Sequence, residues 1–144
     1  FRWVHPGDVR YQRDNDSSCV LRVSAGGHAA LVTGDIEAEA ERDMAREGAL
    51  AAVDIVVVPH HGSRTSSTRD FVTASRPRWA VYAVGYRNRW NFPVQRVVER
   101  WEQAGARGVR TSASGAITFE LAPGRVLAQP IEWRREHPRP WRDP

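Results

Sequence analysis

Residues 53–67 read VDIVVVPHHGSRTSS, and the fold turns on them. The run at 53–58 is β-branched and unbroken, the pattern of a strand buried on both faces. Pro59 ends it. Two adjacent histidines, a glycine and a string of hydroxyls follow. Loop histidines can simply hydrogen-bond to backbone, but a pair at the end of a buried strand also suits a metal, since neutral imidazole ligates Zn²⁺ or Mn²⁺ well. Gly62 lets a backbone approach a ligand closely. Ser63, Thr65, Ser66 and Ser67 offer hydroxyls to phosphate oxygens.

Upstream, residues 18–23 and 28–32 predict two strands joined by a Gly-Gly turn, with Cys19 expected to be a small buried hydrophobe. TGD follows at 33–35, and 36–47 is rich in helix formers with an acidic first turn. Asp35 reads as the N-cap of that helix, or as a metal-ligating carboxylate at a strand end; on local pattern the cap is favoured. Asp14, Asn15 and Asp16 read as a polar turn that could also face the histidine loop.

Downstream, 68–75 predicts a short helix, 79–84 a central strand, and 94–104 an amphipathic helix ended by Gly105. Between the last two lies GYRNRWNFP at 85–93, with three aromatics and two Arg. Three short closing strands are expected at 108–111, 115–121 and 125–129. Strand–helix–strand order predicts a layered α/β sheet, in which sites gather at the carboxyl ends of strands. Asp35, His60 and His61, and the 85–93 loop all follow such ends. The domain is expected to span 1–129, with a Pro/Arg/Trp-rich surface tail at 130–144.

The chain has 144 residues, which suits one domain. All 21 basic residues are Arg, a composition bias or a preference for bidentate phosphate contacts. Charge is uneven: residues 35–54 hold seven acids against two Arg, and 60–110 hold ten Arg against three acids. A basic half suits a polyanion or an ordinary solvated surface. The single cysteine excludes an internal disulfide. No stretch approaches the roughly 18 apolar residues of a membrane span, and none reads as a signal peptide. The opening FRWVHPG, without Met, reads as a cut from something longer.

Taken in order, NDSSCVL (15–21), LVTGDIEAEAE (31–41), DIVVVPHHGSRTSS (54–67), GYRNRW (85–90) and TSASGAI (111–117) resemble the second half of a metallo-β-lactamase-type fold, and more closely the carboxy-terminal domain of the ComEC DNA-uptake family. The resemblance implies the C-terminal half of an αββα sandwich. It implies that Asp35 bridges metals, that His61 is a ligand, and that His60 beside it acts in catalysis as a supporting or substrate-contacting group. The cofactor implied is a divalent metal, Mn²⁺ or Zn²⁺, with no small-molecule cofactor. Ser63, Arg64, Arg87, Arg89 and Trp90 become substrate-binding candidates, gripping single-stranded DNA through phosphates and stacking. The alternative for the 85–93 loop is a packed surface turn.

Three departures from the family pattern stand out. Asp14 and Asn15 occupy the place where many such enzymes carry a histidine. Asn91, Phe92 and Pro93 stand where many relatives have Gly-His-Pro. No H-x-H-x-D-H motif occurs. The expected parent is a bacterial inner-membrane channel protein, with this domain on its periplasmic or cytoplasmic face, degrading the strand not imported; the chain alone is expected to catalyse little. The rivals are another metallo-β-lactamase-fold hydrolase acting on a small ester or RNA, and a non-catalytic DNA-binding module with an incomplete metal site.

Overall fold

The computed structural model describes residues 1–7 and 11–139. Its chain runs β1 (Arg2–His5), a 3₁₀ turn (Asp14–Ser17), β2 (Val20–Ala25), β3 (His28–Val32), α1 (Ala38–Arg46), β4 (Ile55–Val57), a turn at Pro59–Gly62, α2 (Arg69–Ser75), β5 (Trp79–Tyr82), α3 (Gln95–Gln103), β6 (Arg107–Arg110), α4 (Thr111–Ser114), β7 (Ile117–Thr118), β8 (Ile131–Glu132) and α5 (Trp133–Glu136). The layered α/β architecture expected from element order is present. Strands β1 to β6 form one sheet in sequence order; β1, β2 and β3 pair antiparallel, and β3 to β6 pair parallel.

Period-two alternation sorts the strands into two faces. Leu31, Val56, Ala80 and Tyr82 join Ala40 and Met44 of α1, Phe71 and Val72 of α2, and Val97, Val98 and Trp101 of α3 in one core. All three longer helices therefore cover the same face. The other face sets Ile55, Trp79, Val81 and Val109 against Leu127, with Ile117, Phe119 and Leu121 packed alongside.

That second layer corrects the expected closing strands. Only β6 joins the sheet; within 115–121 just the two residues of β7 are strand, and 125–129 holds none. The alternation there reflects side chains seated on the sheet face, without backbone pairing to the large sheet. Inside the stretch read as a tail, β8 pairs with β7. Residues 140–144, including Trp141, lie outside the described residues. Cys19 is exposed. It directly precedes buried Val20, and alternation turns it outward.

The parallel strands bring their carboxyl ends to one edge, and polar contacts tie those ends together. Thr33, fully buried, donates its hydroxyl to the Val57 carbonyl at 2.6 Å. The His60 amide donates to the Gly34 carbonyl. The Thr111 hydroxyl accepts from the Val84 amide at 2.8 Å.

Candidate active site at the carboxyl edge of the sheet

The TGD turn is built by close approach. Gly34 takes φ +57, and a Cβ there would lie 2.9 Å from the Ser18 Cβ. The turn delivers Asp35, which is not the helix cap. The N-cap of α1 is Glu37, and its own side chain makes no capping bond. Asp16, from the preceding 3₁₀ turn, supplies the carboxylate instead: its Oδ1 accepts from the Glu37 amide at 2.8 Å and the Ala40 amide at 3.2 Å. The Ala38 amide donates to the Thr65 carbonyl. With the helix start satisfied by other groups, the half-exposed Asp35 carboxylate is left facing His61. Of the polar 14–16 turn, Asp16 caps α1, and Asn15 points its Nδ2 at Glu37 Oε1, 3.4 Å away.

The histidine pair sits on strained backbone. His60 takes φ +47 and His61 φ +57, two consecutive left-handed residues that are not glycine. Such positions cost on the order of 1–3 kcal/mol each and persist where surrounding structure enforces them. Gly62 continues at φ +84, where a Cβ would lie 2.6 Å from Pro93 Cβ. Pro93 therefore requires a glycine at this position.

The two rings are held differently. His61 Nδ1 lies 2.7 Å from the Ala83 carbonyl. A carbonyl only accepts, so Nδ1 carries hydrogen. Nε2 lies 3.5 Å from Asp35 Oδ1. His60 Nδ1 lies 3.1 Å from Glu37 Oε1, and the Thr65 hydroxyl donates to the same oxygen at 3.0 Å. Arg13 donates to Glu37 Oε2 at 2.7 Å. Burial pushes the Glu37 carboxyl up, but hydrogen bonds from Arg13, Thr65 and Asn15 outweigh it and hold the group below the usual carboxylate range. Sequence reading missed Glu37: its acidity was absorbed by the helix-dipole pattern of the first turn.

Asp35 and His61 suit a divalent cation as far as they go. They offer one carboxylate and one imidazole whose other nitrogen is fixed by a carbonyl, the usual support of a metal-ligating histidine. Two donors fall short of the three or four protein ligands of a typical zinc site. Among the described residues, no group of three or more His, Cys, Asp or Glu side chains is placed to hold a metal.

The loop hydroxyls turn inward. Ser63, Ser66 and Ser67 are buried. The Ser63 hydroxyl pairs with that of Thr65, Ser66 donates to the Pro59 carbonyl, and Ser67 Oγ accepts from Trp101 Nε1. Glu41 clamps the loop from α1, accepting from the Ser67 and Thr68 amides at 2.5 and 2.6 Å. Arg100 donates to the Ser67 carbonyl.

The 85–93 loop reaches the histidines directly. Phe92 meets the His60 ring edge-on at 5.9 Å, and Trp90 stacks on Phe92 at 6.4 Å and 15°. The Arg89 guanidinium lies 4.3 Å from the Trp90 ring centre. Asn88 staples the loop, accepting from the Phe92 amide and donating to its carbonyl. Trp90 is 58% exposed. Arg87 lies over Tyr86 instead, apart from this ladder. Arg64 is exposed, and its carbonyl accepts from Arg96.

Comparison with known proteins adds a separate line. The chain is 40% identical over 130 residues to competence protein ComA of Neisseria gonorrhoeae, matching 90% of this chain and 19% of that protein. Its relatives include a competence protein. Recombination protein 2 of Haemophilus influenzae is 34% identical over 129 residues, again 90% of this chain and 16% of the relative. ComE operon protein 3 of Bacillus subtilis is 32% identical over 73% of this chain and 14% of its own length. The chain thus spans less than a fifth of the length of these relatives. No protein-family model matches it. No helix among the described residues is long and apolar enough to cross a membrane.

Proposed function

We propose that the chain supplies one side of a metal-dependent phosphodiesterase site that cuts single-stranded DNA, as the second half of a metallo-β-lactamase-type domain in a competence protein of the bacterial inner membrane. The observation that carries the reading is the convergence of Asp35 and His61 from two strand ends, 3.5 Å apart, with His61 Nδ1 committed to a backbone carbonyl. A bound Mn²⁺ or Zn²⁺ would supply Lewis acidity and an activated water. The chain's own residues supply the rest. Asp35 and His61 offer the ligands. His60, braced by Glu37 and Thr65, stands beside them. Trp90 offers an exposed face for base stacking, and Arg89 and Arg64 offer charge to phosphates. Similarity to competence proteins favours DNA as the substrate, the membrane channel as the partner, and the non-imported strand as the one degraded.

The test is hydrolysis of a single-stranded oligonucleotide by the full-length protein carrying these residues, with Mn²⁺ supplied. Asp35→Asn is expected to remove hydrolysis while leaving the melting temperature within a few degrees. Hydrolysis that survives Asp35→Asn contradicts the assignment.

The two-donor count among the described residues favours a second reading, a DNA-binding module without catalysis. That reading expects oligonucleotide binding that falls with salt, no hydrolysis, and no response to metal.

A further inference from the structure

Glu37 and His60 form a unit that no metal ligand requires. Glu37 opens α1, is buried, and accepts three hydrogen bonds, from Arg13 on Oε2 and from Asn15 and Thr65 on Oε1; His60 Nδ1 lies 3.1 Å from Oε1 and 3.4 Å from the Thr65 hydroxyl. An ionised carboxylate only accepts. The Thr65 hydroxyl gives its one hydrogen to Glu37, so toward His60 it too can only accept, and the Nδ1 that faces both oxygens carries hydrogen. His60 Nε2 has no protein partner among the described residues, and the side chain is 22% exposed. Phe92 packs edge-on against the same ring and limits its rotation. The left-handed backbone at His60 fixes where the ring leaves the chain.

The same arrangement serves both histidines with different acceptors. His61 Nδ1 is committed to Ala83, which leaves Nε2 for the Asp35 side. His60 Nδ1 faces Glu37 and the Thr65 hydroxyl, which leaves Nε2 without a protein partner among the described residues. The ring centres are 6.4 Å apart, so a group held between Asp35 and His61 lies within reach of a neighbour bound to His60.

We propose that Glu37 is a positioning residue: it fixes His60 in the Nδ1–H form and presents Nε2 to the substrate phosphate beside Asp35 and His61. The proposal rests on the phosphodiesterase reading for its substrate, and on geometry alone for the Glu37–His60 pair. Arg13 and Thr65 brace the carboxylate, so the 13–16 turn contributes to the site without a histidine of its own.

Two measurements test it, chosen so that the pair and the substrate can fail separately. The first is the ¹⁵N spectrum of the imidazole rings at pH 8. The wild-type protein is expected to show hydrogen on Nδ1 of both His60 and His61. Glu37→Ala is expected to shift His60 toward the Nε2–H form and to leave His61 unchanged. Glu37→Gln, which keeps an acceptor oxygen and safeguards against a folding defect, is expected to retain Nδ1–H. Hydrogen on Nε2 of wild-type His60, or a His60 signal indifferent to Glu37→Ala, overturns the proposal. The second is the kinetics of single-stranded DNA hydrolysis by the full-length protein. Glu37→Ala is expected to lower kcat at least about tenfold with KM little changed, and Glu37→Gln to recover part of it. An unchanged kcat overturns the positioning role. If the wild-type protein does not hydrolyse DNA, the phosphodiesterase reading falls, and the ring spectra alone decide whether Glu37 sets His60.

Discussion

At the amino ends of the parallel strands His28 faces Asp54; at their carboxyl ends His61 faces Asp35. The first pair is closed. His28 Nε2 lies 2.7 Å from the Arg125 carbonyl and Nδ1 3.3 Å from Asp54 Oδ2, an oxygen that also accepts from the Ala29 amide. Its backbone is ordinary strand. The second pair is open: both side chains are nearly half exposed, and the His61 backbone is left-handed. A histidine with both nitrogens spoken for on relaxed backbone holds structure together. One held by a single nitrogen on strained backbone is available for chemistry. His28 pins the 119–127 strap to the sheet, and Gly26 lets that strap pass, since a Cβ there would meet the Ala122 backbone at 2.6 Å.

Exchanging the two positions gives the largest expected effect. His61→Ala in the full-length protein should lower DNA hydrolysis about 100-fold or more and leave the melting temperature nearly unchanged. His28→Ala should do the reverse, lowering the melting temperature and sparing hydrolysis. Parallel effects from the two variants would erase the distinction between the edges.

Next comes the clamp beneath the open edge. Burial pushes the Glu41 carboxyl up to about 7, against amide hydrogen bonds from Thr68 and Ser67 and the charge of Arg100. The folded chain therefore keeps a proton that the unfolded chain releases near 4.5. Stability from this group is full below that pH and is lost as pH rises toward 7. Denaturant unfolding of the wild type and Glu41→Gln across pH 4.5–8 should show the wild type losing about 3 kcal/mol relative to the variant. A constant difference would mean that the hydrogen bonds keep Glu41 ionised throughout.

A smaller effect separates Asp35 from Asp16. Asp16→Ala removes the acceptor for two amides of α1 and should cost about 1–2 kcal/mol in chemical denaturation. Asp35→Ala should cost less than about 0.5 kcal/mol. The smallest expected effect returns to His28. The Arg125 carbonyl and Asp54 hold its imidazole above the usual range. Its contribution is thus full below about 6.5 and fades as pH rises through the raised value. Amide exchange at residues 119–127 should quicken across that window in the wild type and lose this pH dependence in His28→Gln.

These contrasts also mark what the sequence could carry. The run at 53–58 announced β4 because a strand covered on both faces has no polar alternation to confuse it. The 28–32 strand and the amphipathic stretch of α3 were equally plain, and strand order placed Asp35 and His61 at one edge. The cap of α1 was hidden, since Asp16 lies 21 residues before Glu37 and no local pattern joins them. Glu37 was hidden for the same reason, its partners coming from the 13–16 turn and the 60–65 loop, each more than 20 residues away. The closing strands misled because Phe119, Leu121 and Leu127 alternate to seat side chains on the sheet, a signal that hydrophobic periodicity cannot tell from strand pairing.

The most direct test of the shared Asp35–His61 site is a Mn²⁺ titration of the ¹⁵N-labelled protein at sub-stoichiometric metal. His61 ring and Asp35 signals should broaden first, with His60 next, and His61→Ala should abolish the pattern. Broadening centred on His28 and Asp54, or broadening at Asp35 that survives His61→Ala, would contradict the shared site.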